Sequence, residues 1–150
     1  MKKLIAAVAI LAGLTGCGEE YGKWVQIKGD PIIQVSVKGS NGATVNAQFL
    51  LNQLGTVSFR ILIPDVCDKA TDIVETTPMR VEDKLIRVWE MCNGKDIISF
   101  PQTEAGNNYI RQKFANQQSV MVGTTQIPTK GLEPLYNRLV NYKDSVGDAI

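Results

Sequence analysis

The 150-residue chain carries 16 Lys and Arg against 15 Asp and Glu, is 44% hydrophobic, and holds three cysteines and no histidine. A near-neutral charge, with no two basic residues adjacent after Lys3, excludes the basic stripe that nucleic acid or an anionic lipid surface calls for. The absence of histidine removes the commonest general base and metal ligand, and with them Ser/His/Asp and Cys/His catalysis.

In chain order, the first element is Lys2-Lys3 followed by an apolar run from Leu4 to Leu14 and then Leu14-Thr15-Gly16-Cys17. The run is too short to span a ~30 Å hydrocarbon core at ~1.5 Å per residue, and its basic start and small residues Gly13 and Gly16 fit a secretory signal. The segment resembles a bacterial lipoprotein signal with its lipobox. That resemblance covers this segment alone. It implies cleavage before Cys17, a diacylglyceryl group on the Cys17 thiol, and a mature protein tied to a membrane by acyl chains that each contribute ~0.8 kcal/mol per buried CH₂. It also implies an envelope location. Gly18, standing where an aspartate is associated with inner-membrane retention, points to the outer membrane and the periplasm. The chain then divides into a signal peptide over 1–16, a lipidated tether over 17–22 and one globular domain over 23–150, a length that suits a single core.

With Cys17 assigned to lipid, Cys67 and Cys92 form an even pair in an oxidising compartment, which predicts a disulfide. Two isolated cysteines without histidine neither fill a tetrahedral metal site nor form a catalytic dyad. No metal site and no cofactor is expected.

Four stretches rich in β-branched residues follow the tether: Lys23–Lys28, Ile32–Lys38, Thr44–Leu51 and Thr56–Ile63. Their alternation places Ile33, Val35 and Val37, then Val45, Ala47, Phe49 and Leu51, then Val57, Phe59, Ile61 and Ile63 on one face, with Gln34, Ser36, Thr44, Asn46, Gln48, Ser58 and Arg60 on the other. Ser40-Asn41-Gly42 and the stretch from Asn52 to Gly55 supply the turns of a meander. Asp65, after Pro64, is positioned to cap a short helix with Val66, Ala70, Ile73 and Val74 on one side and an acidic stripe of Asp65, Asp68, Asp72 and Glu75 on the other. Such a stripe suits a divalent cation, a basic partner or plain solvation, and it lacks the order of a Ca²⁺ loop.

Met79–Val81 and Leu85–Cys92 read as a hairpin around Glu82-Asp83-Lys84, and Asn93-Gly94 turns the chain into a strand over Asp96–Phe100. Thr103 is the expected N-cap of a helix reaching Asn116 that buries Tyr109, Ile110 and Phe114, and Ser119–Gly123 is a further strand. Leu132, Leu135, Tyr136, Leu139 and Val140 follow helical spacing, with Pro134 tolerable in the first turn. The sum is an α+β fold, a mainly antiparallel sheet or small sandwich of about seven strands with one or two covering helices and one disulfide.

Within that fold the hairpin strand places Arg87 and Trp89 on one face, opposite Ile86, Val88 and Cys92, so a buried disulfide side leaves Arg87 and Trp89 projecting together as a candidate partner-binding pair. Tyr21 and Trp24, close to the lipid, suit either a membrane interface or, for Trp24, the core. Asn107, Asn108, Asn116, Gln117, Gln118 and Gln126 form a candidate uncharged polar surface for peptide or glycan. The reading that follows is a lipid-anchored, non-enzymatic module that binds another envelope protein as an inhibitor, exclusion factor or assembly component. A carboxylate-based enzyme acting on cell-wall glycan through Glu90, Glu104 or the acidic stripe, and a structural membrane-coating lipoprotein, are the alternatives.

Overall fold

The structure, a computed structural model, describes residues 20–147, so the signal segment and Cys17 lie outside the described residues. Alternating strands dominate it. Strands β1 (Trp24–Gln26), β2 (Ile32–Lys38), β3 (Thr44–Leu51) and β4 (Val57–Ile63) form the expected antiparallel meander. The chain then passes β5 (Val74–Glu75), β6 (Met79–Val81), β7 (Lys84–Ile86), β8 (Val88–Cys92) and β9 (Ile97–Pro101) to helix α1 (Glu104–Asn116), strands β10 (Ser119–Val122) and β11 (Thr125–Pro128), and helix α2 (Leu132–Gly147). Two sheets result, one ordered β1-β2-β3-β4-β9-β8-β5 and one ordered β11-β10-β6-β7. The fold is α+β and mostly antiparallel, and Cys67 and Cys92 are bonded within it.

The period-2 pattern decides which face is dry. Ile33, Val35, Ala47, Phe49 and Phe59 are fully buried, and both helices and the smaller sheet contribute to the same core through Ile110, Phe114, Val120, Ile127 and Leu139. Phe49 lies at its centre, with ring centroids 5.8 Å from Trp24, 5.2 Å from Phe59, 5.3 Å from Phe114 and 5.5 Å from Tyr136. Helix α1 starts where Thr103 Oγ1 accepts from Gly106 N at 3.1 Å. Gly106 is there for closeness: a Cβ on it would stand 3.0 Å from Ile86 Cγ2 and 3.3 Å from Pro101 Cβ. The next residue, Asn107, is buried, and its Oδ1 accepts from Phe59 N at 3.0 Å, where β4 has left its ladder with β9.

Four expectations are corrected. Residues 66–73 form no helix. Asp65 adopts a left-handed φ of 59°, Val66 N and Cys67 N both donate to Lys95 O, and Thr71 N donates to Cys92 O, so the segment is laid along the β8–β9 hairpin. Val66, Ala70, Ile73 and Val74 are all exposed rather than sharing a buried side. The run Leu85–Cys92 breaks at Arg87, giving β7 to the smaller sheet and β8 to the larger. Thr125–Pro128 is an additional strand, and the described residues hold eleven strands in place of about seven. In α2, Leu132 and Leu139 are buried and Leu135 and Tyr136 pack on the core, whereas Val140 is 47% exposed.

Candidate binding surfaces

Although β7 and β8 belong to different sheets, side-chain parity runs unbroken through Arg87. Ile86, Val88 and Cys92 are buried, while Leu85 and Arg87 are exposed and Trp89 and Met91 half-buried, so the structure brings Arg87 and Trp89 to one outward face. Registers extend that face across the sheet. Leu62 lies opposite Ile98, which lies opposite Met91, and the next row sets Phe100 opposite Trp89 and Trp89 opposite Glu75. Arg87 Nη2 and Nε donate to Glu75 Oε1 at 2.6 and 3.1 Å. Those bonds, with one from Gln102, hold the Glu75 carboxyl below its ordinary pKa. Both partners of the pair are largely exposed, so it orients Arg87 more than it stabilises the fold.

The other half of this outer face is polar. Arg60 Nε donates to Gln48 Oε1, Gln48 Nε2 to Gln34 Oε1, and Ser36 Oγ to Asn46 Oδ1 at 2.7 Å, a cross-strand ladder over β2, β3 and β4. Partial burial lowers the Arg60 pKa, with Asp30 opposing. The face is thus divided into an amide and guanidinium half and an apolar half that ends in Trp89 and Arg87.

On the inner side, a cavity of about 350 Å³ opens between the sheets. Ile61, Ile63 and Val88 supply apolar wall, Thr76, Thr77 and Thr125 hydroxyl-bearing wall, and Glu90 the carboxylate. Ser99 Oγ donates to Glu90 Oε2 at 3.2 Å. A second cavity, about 570 Å³, lies between α1 and α2, lined by Asn108, Gln112, Asn116, Asn137, Glu133 and Tyr136 among others. Burial raises the Tyr136 pKa there, and Arg111 counters it. Arg111 itself is committed, donating to Val57 O at 2.6 Å, to Glu104 Oε1 at 2.5 Å and to Asn108 Oδ1.

The remaining sequence candidates disperse. Asp65 pairs with Lys95 at 3.3 Å and Glu75 with Arg87, so the four acidic residues do not form one helical stripe. Of the amides, Asn107 turns into the core, Gln126 Nε2 donates to Ser119 Oγ at 2.9 Å on the smaller sheet, and Asn108, Asn116 and Gln117 reach the inter-helix cavity. Trp24 is core, 4% exposed, with Nε1 donating to Pro128 O at 2.8 Å. Tyr21 is 45% exposed, sits in a bridge with Ser36, and has Lys38 Nζ 4.7 Å from its ring centre. Glu90 and Glu104 stand on different elements, and each of the two cavities is lined by a single carboxylate, Glu90 in one and Glu133 in the other. Among the described residues no three Cys, Asp or Glu side chains are grouped to hold a metal ion, and no helix is long and apolar enough to cross a membrane. The sequence reading missed the inter-sheet cavity, because Glu90 is merely one alternating residue of β8 until the second sheet is placed over it.

Comparison of the chain with protein-family models, with curated proteins and with solved structures gave no match.

Proposed function

We propose that this is a lipid-anchored envelope protein whose domain binds another envelope protein through the outer face around Arg87 and Trp89, without catalysing a reaction. The observation that carries this reading is the half-buried Trp89–Phe100 pair next to the exposed Arg87, on a sheet face opposite the one that packs against both helices and the smaller sheet. Trp and Arg are the residue types that most often dominate protein interfaces, and here a cross-strand apolar row surrounds them. The partner is a protein presenting an apolar patch with a carboxylate or aromatic ring for the guanidinium.

The anchor geometry supports the same assignment. Tyr21 and Gly22 are fastened to β2, the latter through Gly22 N donating to Ser36 O at 2.7 Å. Four residue steps separate Tyr21 from Cys17, which reach at most about 14 Å when extended. Strand β8 is four places away from β2 across the sheet, about 19 Å at the usual strand spacing. A lipid on Cys17 therefore tethers one edge of the sheet while the Arg87–Trp89 edge stays clear of the attachment point.

The test is crosslinking in cells of the lipidated protein against Arg87→Ala, Trp89→Ala and Cys17→Ala variants, with captured proteins identified by mass spectrometry. One recurrent partner, lost in Arg87→Ala and Trp89→Ala and weakened in Cys17→Ala, is the expected result. A partner captured equally by all four proteins would overturn the assignment of this face.

A further inference from the structure

The Glu90 side chain lies on the face of β8 opposite Arg87 and Trp89. It is half-buried on the inner side of β8 between the buried Val88 and Cys92, in the wall of the inter-sheet cavity. Among the described residues its one side-chain hydrogen bond is from Ser99 Oγ at 3.2 Å, and it has no ion-pair partner. The other residues lining the cavity are apolar, such as Ile61, Ile63 and Val88, or bear hydroxyls, so Glu90 is its one formally charged lining residue. A positive group entering the cavity would meet a counter-charge there.

The walls select which positive group. A divalent ion needs several oxygen ligands of suitable charge, and Glu90 is the one carboxylate lining this cavity. A guanidinium presents five donors in one rigid plane, a demand that a single carboxylate on a wall of threonines and apolar side chains meets less readily than the needs of a compact cation. A primary ammonium is compact and has three donors, which one carboxylate and two of the hydroxyls lining the same cavity, among them those of Thr76, Thr77 and Thr125, would satisfy. Its polymethylene stem would lie on the apolar wall as lysine stems do on protein surfaces. A cavity of about 350 Å³ accommodates a four- or five-carbon amine with water to spare.

We infer that the inter-sheet cavity is a binding site for a primary alkylammonium, with Glu90 as its counter-charge and the threonine hydroxyls as its other acceptors. A lysine side chain of another protein and a free alkylamine share this chemistry. The site is on the opposite side of the sheet from Arg87 and Trp89 and is independent of the partner surface proposed above.

The test is an amide-resolved NMR titration of the mature chain carrying Cys17→Ala, using n-butylammonium, Nα-acetyl-lysine N-methylamide and, as the neutral control, n-butanol. Saturable shifts at Glu90, Ser99 and Thr125 with both amines and none with butanol are expected. Glu90→Gln should weaken binding by about tenfold or more with the rest of the spectrum unchanged. Shortening the stem from butyl to ethyl should cost about fourfold per methylene if the apolar wall contributes. Should Glu90→Gln fail to fold, Thr77→Val, at an exposed wall position, should weaken butylammonium severalfold. Tighter binding of the lysine derivative would indicate a protein lysine as the natural occupant, and equal binding a free amine. Absence of saturable shifts at tens of millimolar amine, or shifts indifferent to Glu90→Gln, would overturn the site. Trp89→Ala should leave the titration unchanged, which separates its failure from that of the partner surface.

Discussion

Removing the Cys67–Cys92 bond should cost this domain a large part of its stability, and the size of the loss follows from chain length. The two cysteines are 25 positions apart, and the chain-entropy relation for a loop of that size gives about 3.5 kcal/mol at 25 °C. In the native state the bond joins the 64–73 segment to the β8–β9 hairpin, where Val66 N, Cys67 N and Thr71 N already donate to backbone carbonyls of Lys95 and Cys92. The double variant Cys67→Ala/Cys92→Ala therefore keeps those backbone bonds and loses the constraint on the unfolded chain. With a urea m-value of roughly 1.5–2 kcal/mol/M for a domain of this size, the midpoint should fall by about 2 M. Urea unfolding followed by tryptophan fluorescence and far-ultraviolet circular dichroism measures it, in a Cys17→Ala background so that no third thiol interferes. Reduced wild-type domain should match the double variant. A midpoint shift below about 0.5 M would refute the unfolded-state account. Loss confined to amide protection at Val66, Cys67 and Thr71, with the global midpoint unmoved, would assign the bond a local tethering role instead.

Three further outcomes are expected. Asn107→Ala leaves the buried Phe59 N–H without its acceptor and should lower stability by about 1–3 kcal/mol in the same urea experiment. Gly106→Val should also destabilise, by about 1–3 kcal/mol, although valine is the better helix former, because its Cβ meets Ile86 at 3.0 Å and Pro101 at 3.3 Å. An unchanged midpoint would mean that α1 shifts freely on the sheet. The Tyr109 hydroxyl donates to Asp83 Oδ1 at 2.6 Å, and desolvation first, then that bond, pushes its pKa up to about 12. Since the folded value lies above the unfolded one near 10, the stabilisation is complete below about pH 10 and is lost as pH rises through about 12. The near-ultraviolet titration of wild-type minus Tyr109→Phe should give that value, and Asp83→Asn should move it down; no movement would exclude the Asp83 bond as a cause.

The meander and α2 were legible because each carries an uninterrupted period, and α1 because Thr103 caps a run that sets Ile110 and Phe114 on one side. Ile33-x-Val35-x-Val37 and its neighbours alternate over whole strands, and Leu132, Leu135, Tyr136 and Leu139 repeat over whole turns. The disulfide was legible from cysteine arithmetic. Residues 66–73 were not, since their apparent helical spacing reflects nothing buried: backbone bonds to Lys95 and Cys92 and the link to Cys92 set their path. β-branched Thr71, Ile73, Val74, Thr76 and Thr77 also weigh against a helix. The division of Leu85–Cys92 between two sheets left no mark in the pattern, because alternation is the same on both sides of Arg87. Glu90 as a cavity residue was equally hidden. Its position depends on β6 and β10 reaching over β8 and β9, a long-range packing that no local spacing encodes.

The unbroken parity at Arg87 joins the fold to both proposed sites. A strand that leaves one sheet and enters another can reverse its faces if a single residue is gained or lost at the corner, and every side chain beyond it would then exchange interior for exterior. In this chain Ile86 and Val88 both point inward across the corner, so one core serves both sheets, and Leu85, Arg87, Trp89 and Met91 all point outward. The corner residue itself is fixed by its backbone, with Gln102 N donating to Arg87 O at 2.9 Å, and by its side chain, through Glu75. Arg87 is thus an exposed cation with a restrained guanidinium beside a half-buried Trp89, and binding through the proposed face would cost less side-chain ordering than a free arginine loses. The same parity turns Glu90 into the gap between the sheets. One alternating strand therefore supplies both proposed sites, on opposite faces, and substitutions at Trp89 and at Glu90 should act independently.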